Sequence, residues 1–135
     1  MFIKEVKNKD DKLIKIAALL IHAAKIDENY SNDEEEIIKQ ALFEFGLKED
    51  SFSKTMQEAK ILENDSNQIL DFTKEVKNLP EEAKIKIVET LWSIIYSNKD
   101  ADVYEMNLMR RLAGLLYIDS KTMGNIKDRI KKENS

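Results

Sequence analysis

The stretch "IHAAKIDENYSNDEEEII", Ile21–Ile38, decides how the chain folds. An apolar run breaks into a short polar loop and a burst of acid, after which apolar positions resume at helical spacing. The restart is written in "SNDE" at Ser31–Glu34, which has the Ser-x-x-Glu form of a capping box. There the Ser31 hydroxyl can accept from the Glu34 amide while the Glu34 carboxylate reaches back to the Ser31 amide. The second helix therefore opens at Ser31, buries Ile37, Ile38, Ala41, Leu42 and Phe45, and stops at Gly46.

On the amino-terminal side, the spacing predicts a first helix over about Asp11–Lys25. Leu13, Ile16, Leu20 and Ala24 share a face, and Ile14, Ala17, Leu19 and Ile21 widen it until the helix is apolar nearly all round. Such a helix belongs in the middle of a bundle. A third helix follows over about Glu49–Leu62, and a fourth carries Ile69, Phe72, Val76 and Leu79 at spacings of three and four. Pro80 suits the first position of a fifth helix, where no amide partner is lost. That helix, with Ile85, Val88, Leu91, Trp92, Ile94 and Ile95, is again apolar on most sides and should be central. Asp102 opens a sixth, burying Leu108, Met109, Leu112, Leu115 and Leu116. A seventh, "SKTMGNIKDRIKK", shows only the thin stripe Met123, Ile126 and Ile130, which suits a helix packed at the edge that frays at its end.

The opening pattern recurs. Glu34 and Glu105 stand 71 residues apart (105 − 34), and the same offset pairs Asp27 with Asn98, Leu20 with Leu91, Ala24 with Ile95, Ile37 with Leu108 and Ile38 with Met109. Each copy is a buried helix, a polar corner and an amphipathic helix. The expected architecture is a compact all-α bundle of seven helices, a single domain over residues 1–135, in which two pseudo-symmetric helical hairpins share one interior.

Composition agrees and excludes several classes. The chain has 135 residues, 42% apolar and 36% charged, with three Gly and one Pro, so long segments lack any helix breaker. A net charge of −4 argues against general nucleic-acid binding, which requires basic clusters. With no cysteine there are no disulfides, thiolate chemistry or zinc knuckles. "MFIKEVKNKDDK" turns charged before a signal peptide could form, and the longest apolar run, Leu13–Ala24, is too short and too polar at Lys15 and His22 to span a membrane. The expected location is cytoplasmic.

The doubled element resembles the tellurite-resistance TerB-like family. Its hallmark is roughly apolar–Ala-Asp-Gly-x-apolar-x-x-x-x-Glu, with the acid and the Glu seven residues apart. "KIDENYSNDE" matches at Asp27 and Glu34; "YSNKDADVYE" matches at Glu105, with Asn98 in place of the acid. The flanking "ETLWSIIYSN", "MRRLAGLLYI" and "ILDFTKEVKN" are similar to the family too, so the likeness runs from about Leu13 to Lys131. The family's Gly is Glu28 in one copy and Lys99 in the other. The resemblance implies a helical bundle associated with tellurite and other stress-resistance gene sets, and a divalent-cation or acidic interaction site at the doubled corners. Tellurite itself is not implied as a ligand, because a thiol would be its obvious reductant and the chain has none.

Two readings of the acids stay open. Hard cations such as Ca or Mg want six or more oxygens, which an EF-hand supplies from positions 1, 3, 5, 7, 9 and 12. Asp27, Asn29 and Ser31, or Asn98, Asp100 and Asp102, begin that series, but the twelfth positions are Ile38 and Met109. Neither corner is an EF-hand; a looser metal site from Asp27, Glu34, Asp100, Asp102 and Glu105 is the candidate. The competing reading is capping alone, since acids in a first helical turn meet the positive end of the dipole and unpaired amides. Asp27 separates the two. It precedes the cap, and an acid at a helix end needs compensation from Lys25, water, an amide or a cation.

Catalytic parts are missing. His22 is the only histidine and reads as a half-buried packing residue. Trp92, Tyr96 and Tyr117 read as core and rim, the methionines as gap fillers, and Gly46, Gly114 and Gly124 are too scattered to cradle phosphate. The expectation is a non-enzymatic module that binds a partner protein, with weak cation binding at the corners. The alternative is a metal-dependent enzyme or metal-sensing domain using the same carboxylates.

Overall fold

The computed structural model describes residues 2–26, 31–65, 70–97 and 101–134, with side-chain surroundings from Asp11 onward. Seven α-helices follow in order, with no strand among the described residues: α1 (Phe2–Lys25), α2 (Asn32–Glu44), α3 (Phe52–Asp65), α4 (Leu70–Val76), α5 (Glu81–Ile95), α6 (Val103–Leu115) and α7 (Ser120–Glu133). A single 3-10 turn, Glu49–Ser51, leads into α3.

The two helices that are apolar on most sides are central. In α1, Ile16, Ala17, Ala18, Leu19, Leu20 and Ile21 are all buried, and in α5 so are Ile87, Val88, Leu91, Trp92, Ile94 and Ile95. They pack on each other; α3, α4 and α2 cover α1, while α2 and α7 cover α5. Each fully buried Leu or Ile stabilises the fold by about 1.5–3 kcal/mol relative to an exposed one, so these two helices supply most of the driving force. Of the stripe residues expected inside, Ile37, Phe45 and Leu115 are only half-buried.

Boundaries differ from expectation in several places. Helix α1 starts at Phe2 rather than near Asp11. The added segment has no apolar stripe, but it consists largely of good helix formers without a breaker, and a helix already nucleated extends cheaply. Helix α3 starts at Phe52, three residues late because Glu49–Ser51 winds as 3-10, and continues to Asp65. Pro80 is the N-cap of α5, one position before the first helical residue, with φ −56° and ψ 153°. Helix α4 ends at Val76, leaving Leu79 beyond it, and Ile69 lies outside the described residues. The edge helix α7 buries Met123, Ile126 and Ile130 as its stripe requires. Its end is closed by Asn134, whose backbone amide and side-chain amide both donate to the Ile130 carbonyl.

Helix stops recur along with the starts. After α2, Gly46 takes φ 102°, and the amides of Gly46 and Leu47 donate to the carbonyls of Phe43 and Leu42 at 3.0 Å each. This is a Schellman closure, in which a left-handed residue returns the last carbonyls to local donors. After α6, Tyr117 takes φ 58°, and Tyr117 and Ile118 donate to Gly114 and Ala113 at 3.3 and 2.9 Å. The carbonyl of Leu116 is taken instead by the ammonium of Lys84, a buried lysine 2.9 Å away, which also sets a cation at the negative end of α6. Surface ion pairs Lys86–Glu44 and Arg129–Glu89 tie α5 to α2 and to α7.

Candidate functional site

The two corners are built on the same local chemistry. At the start of α2, the Ser31 Oγ accepts from the Glu34 amide at 3.2 Å and the Glu34 carboxylate accepts from the Ser31 amide at 3.0 Å. At the start of α6, the Asp102 carboxylate accepts from the Glu105 amide at 2.8 Å and Glu105 accepts from the Asp102 amide at 3.1 Å. Both are complete capping boxes. Each satisfies two amides that a helix start otherwise leaves without partners.

What sets these boxes apart from surface caps is burial. Glu34 is 3% exposed and Glu105 2%. A carboxylate removed from water requires hydrogen-bond donors, since an unpaired buried charge is strongly unfavourable. The cap amides provide one donor each, and the positive end of the helix dipole favours the same charge. Acid is therefore held beneath each corner by the backbone itself.

Of the five residues expected to ligate a cation, Glu34, Asp102 and Glu105 are described, and all three serve the caps. Asp27 and Asp100 lie outside the described residues, as do Glu28, Asn98 and Lys99. Among the described residues, no three His, Cys, Asp or Glu side chains come together as a metal-ligand group.

A second acidic centre escaped the sequence reading. Glu63, buried on α3, accepts from the Lys25 ammonium at 2.8 Å and lies 3.3 Å from His22 Nδ1. His22 also tilts against the Phe72 ring, with centroids 6.5 Å apart. The histidine is half-buried, as read, but its role is to help hold the end of α1 against α3 beside the first corner. Nothing local announces this, because the partners are separated by 38 and 41 residues. Lys25, proposed as a compensator of Asp27, is thus engaged with Glu63.

Two carboxylates elsewhere are shifted in the direction their partners dictate. The hydrogen bond and charge of Lys15 hold Glu75 below its ordinary value, and the Thr122 amide does the same for Asp119 at the start of α7.

The fold and corners define a class: an all-α bundle whose paired helix starts each bury a capping glutamate. The chain matches the family model for tellurite resistance protein TerB over residues 13–128. That is most of its length, and the chain belongs to the TerB family. No curated protein and no solved structure matches it. No helix among the described residues is long and apolar enough to cross a membrane.

Proposed function

We propose that this TerB-family chain is a non-enzymatic, cytoplasmic protein-interaction module of stress and tellurite resistance. Its two acidic corners would bind a divalent cation weakly and help form the contact surface. The observation that carries this reading is the pair of buried capping glutamates, Glu34 and Glu105, 71 residues apart. Negative charge fixed beneath a short acid-bearing loop lowers the local potential, and a hard cation is the simplest counter-charge for it. The second corner adds a contact surface: Val103 and Tyr104, on the first turn of α6, are 66% and 71% exposed. An exposed aromatic next to fixed charge is the usual make-up of a protein-binding patch.

The test is a titration with Ca, Mg, Mn and Zn ions followed through backbone amide chemical shifts. Saturable perturbations confined to residues 26–36 and 97–106 support the cation site, and silence to millimolar cation removes it. Separately, Tyr104→Ala should leave the fold and any cation response intact while abolishing capture of a partner encoded beside this gene. Equal capture by the variant would move the contact elsewhere.

A further inference from the structure

An opening of about 500 Å³ lies where α5, α6 and α7 meet, apart from the two corners' carboxylates. Trp92, Met106, Met109 and Met123 wall it, and Gly114 and Gly124 lie at its sides, where an added Cβ would meet no atom within 4 Å. Its charged lining consists of Arg110 and Lys127; among the described residues no carboxylate contributes to it, in a chain of net charge −4. Arg110 donates only to the neutral Asn107 side chain at 3.0 Å, and Lys127 makes no ion pair among the described residues. The buried indole N–H of Trp92 has no acceptor. Interior donors seldom go unpaired, so each such case asks for an explanation.

The matching positions of the first half show what closes such a place. There Phe43 and Phe52 meet edge to face, 6.1 Å between centroids, and the Lys39 ammonium sits 5.9 and 5.4 Å from the two rings. Seventy-one residues further on, the same positions are Gly114, Met123 and Arg110. Two rings are replaced by an absent side chain and a flexible thioether, and the cation is left without aromatic faces. The first half is plugged and the second is open.

We propose that this cleft binds an amphipathic carboxylate. Its apolar chain lies among Met106, Met109 and Met123, whose unbranched side chains adapt to a ligand's shape. Its carboxylate pairs with Arg110 and Lys127 and supplies the acceptor that the Trp92 N–H lacks. The volume suits a ligand of medium chain length, and the charge of the lining selects the anion.

Trp92 is the single tryptophan, so its emission and its indole N–H resonance report on the cleft directly. Decanoate is titrated into the full chain below its micelle concentration, with decanol as the neutral comparison. The expected result is a saturable shift of the indole N–H, with decanol and Arg110→Gln each weakening binding by about tenfold, the worth of one charge-assisted hydrogen bond. Gly114→Phe, which installs the first half's plug, should abolish the response while the helical circular dichroism stays unchanged; Gly124→Leu serves if that variant does not fold. No saturable response by millimolar decanoate, equal binding of decanol, or undiminished binding by a folded plugged variant would each overturn the proposal.

Discussion

Helices α2 and α6 start and stop by the same devices, yet the space beside them is used differently. Ser31 and Asp102 cap with a buried glutamate three residues on, and Gly46 and Tyr117 turn the chain out through left-handed backbone, each pair separated by 71 residues. Beside α2, Phe43 and Phe52 fill the gap toward α3; beside α6, Gly114 and Met123 leave it open toward α7. The shared part is backbone chemistry, fixed by residues three or four apart. The divergent part is side-chain volume, and volume is where a ligand site can arise without disturbing the fold.

The comparison breaks first if the halves do not share one interior. Leu20 and Leu91 are counterparts and both are fully buried. Replacing either by Ala should cost about 2–5 kcal/mol, the transfer loss plus the cavity left behind, read from urea unfolding at constant m-value. If Leu91→Ala were nearly neutral while Leu20→Ala was severe, the second half would not be part of the cooperative core.

The two stops sharpen it next. An L-residue in left-handed backbone costs about 1–2 kcal/mol. Gly46→Ala should therefore destabilise by about that amount, whereas Tyr117→Gly should stabilise by up to about 1 kcal/mol once glycine's extra chain entropy is subtracted. Tyr117 is 72% exposed, so little packing is lost with its ring. A destabilised Tyr117→Gly would mean that the tyrosine makes a contact strong enough to offset its strain.

The starts follow. Ser31→Ala and Asp102→Ala should each cost about 1 kcal/mol, the usual worth of an N-cap. Because Glu34 and Glu105 are nearly inaccessible, the loss should be equal at the two corners. A much larger cost at one corner would show that its buried carboxylate depends on the cap more heavily than its twin does.

How much of this was legible follows the range of each interaction. Both boxes could be read because Ser31 and Glu34, or Asp102 and Glu105, are three residues apart. The central helices could be read because their apolar residues leave no polar face. The stop at Gly46 is visible in the glycine, while the equivalent stop at Tyr117 is not, since tyrosine gives no signal for positive φ. The segment from Phe2 to Asp10 was missed because it is helical by propensity and has no stripe to display. The contacts of Glu63 with Lys25 and His22, and of Lys84 with the Leu116 carbonyl, join separate helices and leave no periodic trace. At the candidate cation site, the sequence correctly singled out Glu34, Asp102 and Glu105 as capping residues, and Asp27 and Asp100 stand outside the described residues.

The smallest expected effect distinguishes the helices that follow the two stops. Helix α7 begins at Asp119, whose carboxylate accepts from the Thr122 amide at 2.7 Å; the matching residue 71 earlier is Lys48, which caps its 3-10 turn with no side-chain bond. The Thr122 amide favours the ionised form and holds Asp119 below its ordinary 3.8. A carboxyl depressed in the folded state adds stability above its unfolded value and loses it as pH falls through the folded one. Glu75, lowered by Lys15, has the same sign, so below about pH 4.5 both contributions begin to fade. Asn can accept the same cap hydrogen bond without titrating. Asp119→Asn should therefore leave neutral stability nearly unchanged and make the acid limb shallower, with the gain in amide-exchange protection confined to the first turn of α7. Were the first turn of α3 to gain protection equally, the acid response would belong to the bundle as a whole and the asymmetry between Lys48 and Asp119 would have no consequence.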